Sequence, residues 1–322
     1  MSWPVIAASI LSTLLALLYG TVLIFSHLPR VPTPSEGKYK TNNGEGAVND
    51  LPPRGSSRKS KADDSSLELT VVVPSYNETG RLGKMLEESV AYLEDHHKGD
   101  YEILIVDDGS KDHTDEFALL EATRLGLPPH VVKVVLLSKN RGKGGAVTHG
   151  ILHGSGKYLL FADADGATRF SDMEKLLLFV KLEKGPVVAI GSRAHMVNTD
   201  AVVKRLLIRN FLMYGLHALV YTFGIRNIQD TQCGFKMFNQ EAARMIFPHM
   251  HTERWIFDVE VLLLGGLQNI TIREVPVNWQ EIDGSKVDLA RDLIQMAIDL
   301  VVTRMAYLMG IYKLDECGRK SG

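Results

Sequence analysis

The sequence predicts an α/β domain built on a mostly parallel sheet with helices on both faces. Three observations point there. From residue 67 onward, short β-branched runs alternate with stretches of helical period. The runs are apolar throughout instead of alternating with polar residues, as in strands buried on both faces. Polar residues and glycines gather just after each run, at the carboxyl edge where such sheets bind ligands.

The elements follow in order. Residues 69–73, 103–106, 131–137, 158–161 and 187–190 read as buried strands, and 81–92, 114–125, 144–152 and 173–182 as the helices between them. Before them, residues 1–26 contain no Asp, Glu, Lys or Arg. Residues 5–25 would make a helix of about 31 Å, enough to cross a bilayer core. A signal peptide would have a basic start and a shorter apolar stretch, so 1–28 reads as a retained transmembrane anchor. Positive charge lies only beyond it, at Arg30, Lys38, Lys40, Arg54, Arg58, Lys59 and Lys61. By the positive-inside rule the rest of the chain faces the cytosol. Residues 29–66 hold five of the 12 prolines and little to bury, and read as a flexible linker. The main domain then spans 67–285, with 201–223 a candidate interface helix inside it. Residues 286–322 read as an amphipathic membrane-interface helix and tail, with Asp288, Asp292, Gln295, Asp299 and Thr303 near one face.

Composition excludes several classes. Lys plus Arg is 36 against 38 for Asp plus Glu, a net charge of −2, which argues against a nucleic-acid partner. Cys233 and Cys317 cannot make a disulfide framework or a four-cysteine zinc site, and suit a reducing compartment. Self-association is left open by composition.

The strand ends carry the chemistry. Asp163 and Asp165 stand two apart after a strand, so both carboxylates can point one way. Their repulsion is relieved by a hard divalent cation, Mg²⁺ or Mn²⁺, that also takes substrate phosphate oxygens. Asp107 and Asp108 end another strand: one reads as an acceptor for a nucleotide base or ribose, Asp107 by preference, and the other as a turn or helix cap. Lys139, Arg141 and Lys143 could neutralise a diphosphate among glycines that admit backbone. The run is no P-loop, since Gly-Lys is not followed by Ser or Thr, and no G-x-G-x-x-G follows the first strand. His149 and His153 lack the Glu of a zinc-protease helix and read as structural. Cys233 reads as a buried small residue, not a nucleophile.

Together, residues 71–78 (VVVPSYNE), 107–110 (DDGS) and 163–165 (DAD) resemble the inverting family-2 glycosyltransferases. More specific runs are similar to the branch that glucosylates dolichyl phosphate: 140–147 (NRGKGGAV), 163–169 (DADGATR), 191–193 (GSR), 230–238 (DTQCGFKMF), 254–260 (RWIFDVE) and 272–286 (IREVPVNWQEIDGSK). Thr79 and Gly80 depart from that pattern, where acidic residues are commoner.

The resemblance implies a GT-A type, Rossmann-like fold. It implies transfer of glucose from UDP-glucose to dolichyl phosphate at the endoplasmic reticulum membrane, for N-glycan precursor assembly. Pro74, Tyr76, Glu78 and Asp107 would hold the uridine, and Asp163 and Asp165 the metal and sugar diphosphate. Arg193 and Arg209 would handle donor or acceptor phosphate, and Gln232 and Asp258 would line the sugar and acceptor site. A phosphate nucleophile is already ionised, so a strong base is not required. Asp230 and Asp258 are candidates for a base or orienting group, Asp258 by preference, with a helix cap the other reading of Asp258. Two alternatives stay open: the same chemistry with another donor such as GDP-mannose, and a non-catalytic nucleotide-binding scaffold. The sequons at Asn77 and Asn269 are expected to be unmodified if the domain is cytosolic.

Overall fold

The computed structural model describes residues 2–43, 48–53, 67–196, 228–282 and 289–314. Among these, one sheet contains β1 (Lys38–Lys40), β2 (Val48–Asp50), β3 (Leu69–Ser75), β4 (Tyr101–Asp107), β5 (Val132–Leu136), β6 (Tyr158–Ala162), β7 (Val187–Ser192), β8 (Phe235–Asn239) and β9 (Thr271–Pro276). Its order is β2-β1-β5-β4-β3-β6-β8-β7-β9. The stretch β5-β4-β3-β6 is parallel, as is the pair β7-β9. β8 runs antiparallel to both its neighbours, and β1 to both of its own. The five predicted strands are all present.

The helices are α1 (Trp3–Phe25), α2 (Leu82–His96), α3 (Thr114–Arg124), α4 (Lys143–His153), α5 (Met173–Leu182), α6 (Gln240–Ile246), α7 (Phe257–Leu267) and α8 (Leu289–Leu308). Two cores flank the sheet. Val71 and Val73 of β3 face a core with α2, α3 and α5, while Val72 faces one with α4, α6 and α7. This is the period-two alternation of a strand buried on both sides. α4 lies close to the sheet because it is built of small residues: a Cβ on Gly150 would overlap the Val72 side chain.

The linker expected at 29–66 is corrected in part. β1 and β2 extend the sheet beyond β5, and Leu51 is buried in the second core. Polar contacts hold this strap. His149 Nε2 meets the Glu36 carbonyl at 2.8 Å, and His153 Nδ1 meets the Pro52 carbonyl at 2.6 Å. Both contacts are consistent with the structural or solvated role expected for these histidines. Residues 54–66 lie outside the described residues.

α1 is 23 residues long with mean hydropathy 2.1, long and apolar enough to cross a membrane. Its Val22 packs against Ala306 and Tyr312, next to α8. The polar face expected on α8 turns partly inward: Asp299 and Thr303 are buried, whereas Ile294, Ile298, Val301 and Leu308 are exposed. The candidate helix at 201–223 and the segment 283–288 lie outside the described residues.

Candidate active site

The carboxyl ends of β3, β4 and β6 bring the predicted groups to one edge. Ser75 pairs in register with Asp107, and the Asp108 N–H donates to the Ser75 carbonyl at 2.8 Å. Asp107 is fully buried. Its Oδ1 accepts the Ser110 N–H at 2.7 Å, while Oδ2 has no hydrogen-bond partner among the described residues. Burial pushes its carboxyl above the usual range. A buried acceptor left open in this way can take a donor from a ligand or from water.

Asp108 does different work. Its Oδ1 accepts the Arg141 N–H and its Oδ2 the Gly142 N–H, both at 2.7 Å. It thereby clamps the loop before α4, where Gly142 sits at φ +88°. Burial raises its carboxyl to about 7. Nearby, Glu78 accepts Arg81 Nε and Nη2 at 2.8 and 2.7 Å, and its own N–H donates to Thr114 Oγ1 at 2.8 Å. Pro74 and Tyr76 are half-buried beside it.

Lys143 opens α4 and places Nζ 2.7 Å from Asp163 Oδ1. The ammonium lies 5.2 Å from the centroid of the Phe161 ring and 5.9 Å from that of Trp255. Burial works against its charge, but Asp163, Asp258 and Asp165 outweigh that and raise its pKa. Asp165 Oδ1 accepts the Ala167 N–H at 3.0 Å, and burial together with the Asp163 charge raises its carboxyl. Gly234 passes so close that a Cβ there would overlap the Asp163 carboxylate. Two crowded carboxylates fit a divalent cation as donor set. No cluster of three or more His, Cys, Asp or Glu side chains suited to a metal occurs among the described residues.

A second pair lies behind them. Lys236 of β8 is buried and donates through Nζ to Asp258 Oδ1 at 2.5 Å and to the Cys233 carbonyl at 2.6 Å. Asp258 sits in the first turn of α7, whose N-cap is Ile256. Arg193, after β7, forks onto Asp230 with Nε–Oδ2 at 2.7 Å and Nη2–Oδ1 at 2.8 Å, its guanidinium 5.3 Å from the Trp279 ring centroid. Burial opposes both charges, but the fork holds Asp230 below its ordinary range and Arg193 above. Glu274 on β9 fixes this turn by accepting the N–H groups of Gln229 and Asp230. Gln232 is half-buried on the same turn.

Residues 70–247 match the family described as Glycosyl transferase family 2. The chain belongs to that family. It is 50% identical over 317 residues to a dolichyl-phosphate beta-glucosyltransferase of Saccharomyces cerevisiae, covering 95% of this chain and 94% of the relative. The proteins of the same name from Dictyostelium discoideum and Homo sapiens are 48% and 45% identical; the alignments cover 77% of each chain in the first case, and 79% of this chain and 80% of the relative in the second. Among solved structures, glucosyl-3-phosphoglycerate synthase of Mycobacterium tuberculosis with UDP aligns at TM-score 0.51 and 16% identity, over 73% of this chain and 80% of that one. The same enzyme with Mg²⁺ and UDP also scores 0.51, at 16% identity, over 74% and 80%. These likenesses carry the GT-A type fold.

In this glycosyltransferase most of the predicted charged residues fall into two groups. Asp107, Asp163, Asp165 and Lys143 have side chains suited to a ligand. Glu78, Asp230 and Asp258 are tied to Arg81, Arg193 and Lys236. Of the three basic residues proposed for a diphosphate, Lys143 alone meets Asp163; Arg141 meets Glu253 at 3.2 Å and Lys139 is exposed. Arg209 lies outside the described residues. Sequence reasoning missed Lys236, Gly234 and Trp255. A charge in the middle of the apolar run 235–238 was the available signal for Lys236.

Proposed function

We propose that this glycosyltransferase moves glucose from UDP-glucose to dolichyl phosphate with inversion, giving dolichyl β-D-glucosyl phosphate for N-glycan precursor assembly. The chemistry rests on one observation above all: Lys143 and the pair Asp163 and Asp165 converge on the sheet edge that also carries the open Oδ2 of Asp107. The choice of sugar and acceptor rests on the name shared by relatives up to 50% identical.

In this reading Asp107 Oδ2 accepts a base N–H, with Pro74, Tyr76 and Glu78 framing the uridine. Asp163 and Asp165 hold Mg²⁺ or Mn²⁺, which supplies charge compensation for the leaving diphosphate. Lys143 adds positive charge at the same place. Arg193 and Arg209 handle donor or acceptor phosphate, and Gln232 and Asp258 line the sugar and acceptor site. A phosphate oxygen of the acceptor attacks the anomeric carbon from the face opposite UDP. The new C–O bond forms as the bond to the diphosphate breaks, and the electron pair leaves on UDP. The nucleophile carries no proton to remove, so orientation counts for more than a base. Asp230 and Asp258, both paired with cations, suit orienting roles.

The protein is anchored by α1 in the endoplasmic reticulum membrane with its domain in the cytosol, and the exposed apolar stripe of α8 lies against the same bilayer. The test is incubation of purified protein with UDP-glucose and a polyprenyl phosphate, with and without EDTA. Glucosyl lipid should form only in the metal-containing arm. Asp165→Ala should cut turnover at least about a hundredfold, on the order of 3 kcal/mol in barrier. Mannosyl transfer from GDP-mannose in place of glucosyl transfer would overturn the donor. Full turnover by Asp165→Ala would overturn the site.

A further inference from the structure

The strap between α1 and β1 carries two charged side chains that are hidden from water: Arg30 is 4% exposed and Glu36 0%. Glu36 Oε2 accepts Arg30 Nη2 and the Thr33 N–H, each at 3.0 Å. Glu36 Oε1 accepts the Ser138 N–H at 3.0 Å and the Ser138 hydroxyl at 2.8 Å. Arg30 Nη1 reaches the Gly145 carbonyl at 3.3 Å, and Arg30 Nε faces Glu253 Oε1 at 3.8 Å. That same Glu253 oxygen takes Arg141 Nη1 at 3.2 Å, and the Glu253 carbonyl accepts the Gly145 N–H at 2.9 Å.

The pair thus grips the segment 138–145 at its first residue and at its last, and borders it in the middle through Glu253. Asp108 holds the interior by the Arg141 and Gly142 N–H groups. Lys143 stands inside this segment, with its ammonium on Asp163. Taking two charges out of water costs several kcal/mol in general, so a pair that only fastened a linker could have stayed exposed at less expense.

We infer that Arg30 and Glu36 are positioning residues for Lys143, so that the membrane-proximal strap is part of the scaffold of the donor-diphosphate site. Neither residue touches the reacting atoms. They fix the height and tilt of the α4 N-terminus, and through it the distance from the Lys143 ammonium to Asp163. The assignment of a donor to this edge rests on the function proposed above; the mechanical link between strap and loop does not.

The experiment uses the full chain in detergent micelles and compares Glu36→Ala, Glu36→Gln and Arg30→Met with His153→Ala. The last releases the strap at Pro52 and leaves Ser138 and Gly145 untouched. Hydrogen exchange of the amides at 138–145 reads the loop directly, without substrate. Glu36→Ala and Arg30→Met should speed that exchange about tenfold or more, and His153→Ala should leave it within about twofold. In turnover, Glu36→Ala should raise KM for UDP-glucose about tenfold and leave KM for dolichyl phosphate within about twofold. Glu36→Gln, which keeps an oxygen for Ser138, should recover much of that loss. Unchanged exchange at 138–145 in Glu36→Ala and Arg30→Met overturns the inference, as does an equal effect from His153→Ala. Should Glu36→Ala fail to fold, Arg30→Met decides: unchanged exchange there overturns the inference. Failure of the wild type to bind UDP would bear on the proposed donor, while the exchange data would still decide the strap.

Discussion

Lys236 places its ammonium 2.5 Å from the carboxylate of Asp258, and neither side chain is more than 5% exposed. The pair joins β8 to the first turn of α7 directly behind Phe161 and Lys143. Removing one partner leaves an uncompensated buried charge, which costs about 3–5 kcal/mol. Lys236→Met should therefore lower the free energy of unfolding by that amount in urea titration. Lys236→Met combined with Asp258→Leu should regain on the order of 2 kcal/mol. Additive losses in the double variant would rule out the pairing.

Gly234 is set by a close approach, not by a turn. Gly234→Ala drives a methyl into the Asp163 carboxylate. A displacement of about 1 Å at a reacting centre costs on the order of a hundredfold in rate, so turnover should fall by that factor. Gly266→Ala, whose Cβ would meet nothing within 4 Å, should leave turnover intact and stabilise α7 by about 0.5–1 kcal/mol. Steady-state rates and melting curves of the two variants check both statements.

Asp108 makes stability and donor affinity respond to pH in opposite directions. Its folded-state value is raised by burial to about 7, against an ordinary value of about 4 in the unfolded chain. The native state therefore holds a proton that the unfolded chain has released. The contribution to stability is present at low pH and is lost as pH rises toward 7, then stays level above it. The ionised carboxylate is the form that accepts both the Arg141 and Gly142 N–H groups. Donor affinity should improve as pH rises through 7. Donor KM measured from pH 5.5 to 8.5 checks this, and Asp108→Asn should flatten the profile.

The two sequons report on the side of the membrane. Asn77 has φ 53° and its Oδ1 accepts the Lys111 N–H at 2.8 Å. A cytosolic domain leaves Asn77 and Asn269 unmodified, so endoglycosidase treatment of protein from eukaryotic cells should give no mass shift. A shift would put the domain in the lumen.

Much of this was legible in the sequence because continuous apolar runs announce parallel strands, and the chemistry follows those strands at their carboxyl ends. Asp107, Asp163 and Asp165 were singled out as candidates in that way. Cys233 was read correctly as buried, and burial pushes its thiol up to about 12. β8 escaped because Lys236 interrupts its apolar pattern, and the reason for that lysine lies on α7, 22 residues away. The strap escaped because it docks through a buried ion pair and two histidine contacts, which composition cannot register. Asp258 was singled out as a candidate, but its partner Lys236 was not, since the two stand 22 residues apart on different elements and such pairing leaves no fixed spacing.

The docked strap also decides how far the reacting centre can stray from the bilayer. Only eight residues, 26–33, separate the end of α1 from the next ordered turn, and their full stretch is about 28 Å. The backbone of His27 is already tied to the Tyr312 hydroxyl, and Arg30 to Gly145. If α1 spans a membrane, the domain stands on a short stem and keeps a nearly constant elevation. On the proposed function, a lipid headgroup would then have to rise to a fixed altitude to meet the sugar.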